Sequence, residues 1–220
     1  MDLPRMILPR TVLRIPVEAP RDQVLRRLGI RSRDRAPRES LLRILDEELD
    51  AAHALADPQV LLATTLGLPG STAIDPAMPL ALAVCTLGAA LDRRVDDHTD
   101  GGHSARAMVL DAIGSALVEE LADRSNGRIC ELAIQAGLAP DVRSSPGYGR
   151  WPVQEQRLIF EQLEPADIGV TLTRTCLMNP SKSISYAVPL RGGSPGTRAR
   201  GRCSRCGFVD CSYRHTEAPR

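Results

Sequence analysis

The segment running from about Ser104 towards Ala136 constrains this chain more than any other. Val109, Ala112, Ile113, Ala116, Leu117 and Leu121 recur there at the three-to-four spacing of one helical face. The run predicts a long helix with a buried stripe. Gly114 and the alanines leave room for a neighbouring element to approach, and Gly127 marks where the helix would bend or divide. A second strong helix is expected over 39–56, with Leu41, Leu42, Leu45, Leu49, Ala52 and Leu55 on one face and Asp57-Pro58 ending it. Residues 21–29, a stretch opened by Gly88, and 153–163 also read as helical.

Between these lie strand-length apolar runs, 61–68 and 80–87, separated by the turn-rich LPGSTAIDPAMP. Residues 11–18 read as a short strand that Pro16 places at a sheet edge. After 163 the period changes to two: Ile168, Val170 and Leu172 alternate with small or polar residues, and so do Ile184, Tyr186 and Val188. The simplest reading is two strands joined across a proline-containing connector. Residues 139–152, with three prolines and two glycines, are expected to be irregular. The sum is a mixed α+β domain.

Composition narrows the function classes. The chain has 220 residues, enough to bury roughly 70 % of its unfolded surface, so folding requires no metal or disulfide. A net charge of +1 provides no general attraction to nucleic acid or to an anionic membrane. Aromatics at 3 % leave few platforms for stacking bases. No apolar run approaches ~20 residues, so no membrane span is expected. The opening MDLPRMILPR has prolines and charges where a secretory signal needs an apolar core, so a cytoplasmic protein with reduced thiols is expected. Neither Ser71 nor Ser115 sits in a G-x-S-x-G elbow, and no P-loop is present. The cluster of Arg93, Arg94, Asp96, Asp97, His98 and Asp100 reads as a solvated helix end.

The stretch from Arg143 to Tyr186 carries the most chemistry. Arg143-Ser-Ser-Pro-Gly-Tyr148 offers a fixed cation, two hydroxyls, a rigid proline, a glycine permitting close backbone approach, and an aromatic ring. Such a loop suits a small ligand with a carboxylate and a planar base, because a guanidinium grips a carboxylate through two parallel hydrogen bonds. A surface turn between two elements is the plainer alternative. The order of segments adds more. RSSPGY, an amphipathic helix, Ile168-Gly-Val-Thr-Leu-Thr173 and Met178-Asn-Pro-Ser-Lys-Ser-Ile-Ser185 together resemble the activation domain of cobalamin-dependent methionine synthase. Val84-Cys-Thr-Leu-Gly88 and Leu110-Asp-Ala-Ile-Gly-Ser115 with Glu119 resemble a free-standing branch of that family.

The resemblance implies long helices packed on a twisted antiparallel sheet over residues 1–190. By composition, the Gly/Arg/Ser/Pro-rich 191–202 reads as a flexible linker and 203–220 as a short Cys-rich tail. The resemblance also implies a site for S-adenosylmethionine, with Arg143, Gly147 and Tyr148 in the cofactor loop. Ser145 would offer backbone atoms, and Glu119 a carboxylate for the ligand's amino group, with Glu120 or Asp123 as alternatives. No residue of the chain is expected to be catalytic by itself. Cobalamin would arrive on a partner, either a corrinoid protein or a methionine synthase lacking this domain, and the chain would support its reductive remethylation. The alternative is a docking or chaperone module for such a corrinoid protein.

Cys85, Cys130 and Cys176 are isolated and read as core thiols. Cys203, Cys206 and Cys211 are different: with His215 they place three thiolates and an imidazole within thirteen residues, the first pair at knuckle spacing. That set would close a tetrahedral zinc site. Three thiolates completed by Cys176 or an outside ligand would instead hold an iron–sulfur cluster, and spacing does not separate the two.

Overall fold

The computed structural model describes residues 8–30 and 36–192. The predicted long helix is present as α4, Ser104–Gln135, 32 residues and therefore about 48 Å long. Gly127 does not divide it. That residue sits on the solvent side with nothing near its missing side chain, so no packing force acts there to break the hydrogen-bond ladder.

α4 lies on a five-stranded antiparallel sheet formed by β1 (Thr11–Arg14), β2 (Gln59–Leu66), β3 (Pro79–Thr86), β7 (Ser183–Gly192) and β4 (Leu138–Pro140), in the order β1-β2-β3-β7-β4. α1 (Arg21–Arg27), α2 (Glu39–Leu55) and α3 (Ala90–Asp100) complete the helical layer with α4. α5 (Gln156–Leu163) packs on the opposite face of the sheet, with a small hairpin of β5 (Thr171–Leu172) and β6 (Met178–Asn179) following it in the chain.

Burial on both faces explains why β2 and β3 read as continuous apolar runs rather than alternating ones. Val60, Leu62, Ala81, Ala83, Cys85, Tyr186 and Val188 join the core under α4, while Leu61, Leu80, Leu82, Val84 and Ala187 join the core under α5. Ala81 and Ala83 are small where the long helix crosses, so it can lie close to the sheet. Gly114 serves the same end. A Cβ there would stand 3.0 Å from Lys182 Cε, and the lysine stem runs through the notch that glycine leaves.

Four expectations are corrected. β1 stops at Arg14, before Pro16, because proline lacks the donor that a ladder needs. Residues 168–172 and 184–188 do not pair with each other. Ile168 ends a 3-10 turn, β5 pairs β6, and β7 runs between β3 and β4. The start of 139–152 is not irregular, since residues 138–140 form an edge strand on β7 with Pro140 tolerated at its end. The charged cluster on α3 is not wholly solvated: His98 is buried against Glu48 of α2 at 3.2 Å, and Asp92 accepts hydrogen bonds from Ser181 N–H and Oγ. Alternating charge in the sequence hid that one side of this short helix faces α2 and α4.

Candidate functional site

β4 does not end the edge pairing. Asp141 N–H donates to Pro189 O at 2.8 Å, and Ser144 exchanges two backbone hydrogen bonds with Ala187 at 2.9 and 2.8 Å. Residues 141–144 are thereby held along β7, and Arg143 projects onto the face that carries α4.

The guanidinium is buried, with the residue 5 % exposed. Its Nη2 donates to Asp123 Oδ1 at 2.7 Å and Glu119 Oε2 at 3.2 Å, both on α4. Its Cζ stands 5.1 Å from the centroid of the Tyr186 ring, so an aromatic face floors the cation. Beneath that ring, Tyr186 Oη and Ser125 Oγ are 2.6 Å apart, and Ser125 Oγ lies 3.4 Å from Cys85 Sγ. Burial pushes the Cys85 thiol up to about 12, and it likewise raises the Tyr186 phenol well above its ordinary range. Both groups are therefore neutral, and the floor adds no charge of its own. Two carboxylates on one guanidinium leave the site with an excess of one negative charge.

Arg143 Nη1 is buried and has no hydrogen-bond partner. A buried donor left unpaired costs about 1–3 kcal/mol. Native folds rarely carry such groups without a purpose.

The structure brings Arg143 and Glu119 together as an ion pair. Ser145, Gly147 and Tyr148 follow in the next turn, and none of them hydrogen-bonds to the guanidinium. Ser145 O accepts from Tyr148 N–H at 3.1 Å, and Gly147 N–H donates to Trp151 O at 2.8 Å. Gly147 adopts φ of +89°, a conformation that glycine reaches without strain. The Tyr148 side chain stands in solvent, with the residue 68 % exposed. The turn is anchored by Trp151, whose buried indole donates to Glu155 Oε2 at 2.9 Å.

Asp123 was one of three acidic candidates on this helix, and the geometry gives it the shorter bond to Arg143. Tyr186 read only as a core strand residue. Its pairing with Arg143 depends on the edge register of 141–144, which no local pattern in the sequence announces.

The tail residues Cys203, Cys206, Cys211 and His215 lie outside the described residues. Among the described residues, no group of three or more His, Cys, Asp or Glu side chains is arranged to hold a metal. Cys176 is buried, with Sγ 3.9 Å from Gln154 O. A shallow groove of about 400 Å³ lies apart from Arg143, between β1 and the second half of α4. Its guanidiniums are engaged, Arg14 with Asp57, Arg124 with Glu120 and Pro16 O, and Arg128 with Glu131. No helix among the described residues is long and apolar enough to cross a membrane.

The fold defines the class first: an α+β domain of long helices on a curled antiparallel sheet, with an arginine–carboxylate seam where an edge segment meets the longest helix. A solved structure with this fold is the MetH reactivation domain bound to AdoHcy, with a TM-score of 0.64 over 88 % of this chain and 82 % of that one. Sequence identity across the match is 14 %, so the likeness is one of fold. No family model and no curated protein matches the chain.

Proposed function

We propose that the seam between Arg143 and α4 binds S-adenosylmethionine by its amino-acid end. The observation that carries this reading is the buried, unpartnered Nη1 of Arg143, which asks for an acceptor such as a ligand carboxylate. The excess negative charge of Glu119 and Asp123 complements the ligand's ammonium and sulfonium, and a site already charged in this sense needs little reorganisation to receive them. Supporting the reading from outside the chain, the structural neighbour is bound to AdoHcy, which shares the same α-amino-carboxylate terminus. Tyr148, exposed in the turn that follows Arg143, is the residue available to stack on the purine.

S-adenosylmethionine, when bound, supplies an activated methyl group. The chain's own residues hold the carboxylate (Arg143), offset the positive charge (Glu119 and Asp123), and present backbone atoms in the 145–148 turn. No described side chain is placed as a nucleophile or acid–base pair beside Arg143, so the methyl acceptor belongs elsewhere. We propose cobalamin on a partner protein, with this chain supporting its reductive remethylation. The Cys203, Cys206, Cys211 and His215 tail remains a proposal for zinc or an iron–sulfur cluster.

Titration calorimetry with S-adenosylmethionine tests the ligand reading. Micromolar binding that is lost in Arg143→Ala supports it. No heat with the wild-type protein overturns it and leaves a docking module for a corrinoid protein.

A further inference from the structure

Two buried side-chain atoms among the described residues have no hydrogen-bond partner, Arg143 Nη1 and Asn126 Oδ1. One is a donor and the other an acceptor. Arg143 reaches α4 through Glu119 and Asp123, and Asn126 lies further along the same helix. Asn126 follows Glu119 by seven residues, which is two helical turns less about 20°, so the two share a face of α4. Asp123, which holds Arg143 Nη2, lies between them and one turn from Asn126.

From this pairing we propose that Asn126 is a ligand-contact residue, its Oδ1 accepting a hydrogen bond from the ammonium of the amino acid whose carboxylate sits on Arg143 Nη1. The assignment rests on the reading of the seam given under the proposed function and extends it. An ammonium carries three N–H donors and needs three acceptors. The α4 carboxylates of Glu119 and Asp123 already accept from Arg143, while the amide oxygen of Asn126 has no bond within the protein. The seam thus selects ligands with both charges of an α-amino acid rather than a carboxylate alone.

The experiment compares S-adenosylmethionine with its deaminated analogue, in which hydrogen replaces the ammonium, on the wild-type full chain and on Asn126→Leu and Asn126→Asp. Asn126→Leu should weaken S-adenosylmethionine by about tenfold. The deaminated analogue should bind Asn126→Leu and wild type equally, and Asn126→Asp, which keeps an acceptor, should retain binding of the full ligand. The Tm of the ligand-free Asn126→Leu protein should be unchanged or raised, because an apolar isostere removes an unpaired buried acceptor. A fall in that Tm would make Asn126 structural and overturn the proposal. An unchanged Kd for S-adenosylmethionine in Asn126→Leu, with the wild type binding, overturns this assignment alone. Failure of the wild type to bind overturns the ligand reading and this assignment with it.

Discussion

Arg143 and Glu155 are buried charges twelve residues apart in one loop-to-helix segment, and they are treated in opposite ways. The Glu155 carboxylate accepts from Ser71 Oγ at 2.5 Å, Thr72 N–H at 2.8 Å, Thr72 Oγ1 at 2.5 Å and Trp151 Nε1 at 2.9 Å. Every contact is internal, and together they tie the 67–78 loop to the turn at 151. Arg143 is paired at Nη2 and orphaned at Nη1. A charge whose bonds are all made inside the fold is there to hold the fold together. One with a bond still to make fits the ligand contact proposed above. Lys182, the chain's only lysine, falls on the Glu155 side of this division, with Nζ 2.6 Å from Asp111 Oδ1 and 3.2 Å from Ser115 Oγ.

The largest expected difference is in stability. Glu155→Ala strands four donors and should cost about 3–5 kcal/mol, read from urea denaturation. Arg143→Met should cost about 1 kcal/mol by the same measurement, because Glu119 and Asp123 are partly exposed and can turn to water. Equal losses would show that Arg143 is a structural residue and would erase the contrast.

Acid sharpens it next. Burial on its own raises the Glu155 pKa, but the hydrogen bonds from Ser71, Thr72 and Trp151 outweigh it and hold the group below the ordinary 4.5. A lowered folded-state pKa contributes stability above the unfolded value, and that contribution is lost as pH falls through the folded one. Wild-type stability should therefore decline on acidification below pH 4.5, and Glu155→Gln should be less stable at neutral pH but decline less steeply. Parallel acid profiles for the two proteins would contradict the assignment.

The smallest effect concerns the two glycines of α4. Gly127→Ala should gain about 0.5–1 kcal/mol by thermal denaturation, since the site is open and glycine is a poor helix former. Gly114→Ala should fail to show that gain, because the new methyl crowds the Lys182 stem at 3.0–3.2 Å. An equal gain at both positions would mean that Lys182 is not packed on the helix.

Helix periodicity was legible because it is local: α2 and α4 follow from spacing of leucine, valine and alanine, and β2 and β3 from uninterrupted apolar runs of the right length. The 168–172 segment misled, since alternation over five residues cannot tell a strand from a turn that happens to bury every second side chain. At the site, Arg143 and Glu119 could be named from motifs that resemble a known family, but Asn126 carried no such mark.

What the sequence determined by itself was which segments are helical, which apolar runs form strands, and which loop carries the guanidinium. Tertiary structure alone decided that residues 141–144 pair along β7 and so turn Arg143 towards α4. It alone decided that Tyr186 lies under the cation and that Glu155 is complete while Arg143 is not. The physical reason is range. Propensity and periodicity act over a few residues, whereas the satisfaction of a buried charge depends on partners 20 to 84 positions away, brought within 3 Å only by the folded chain.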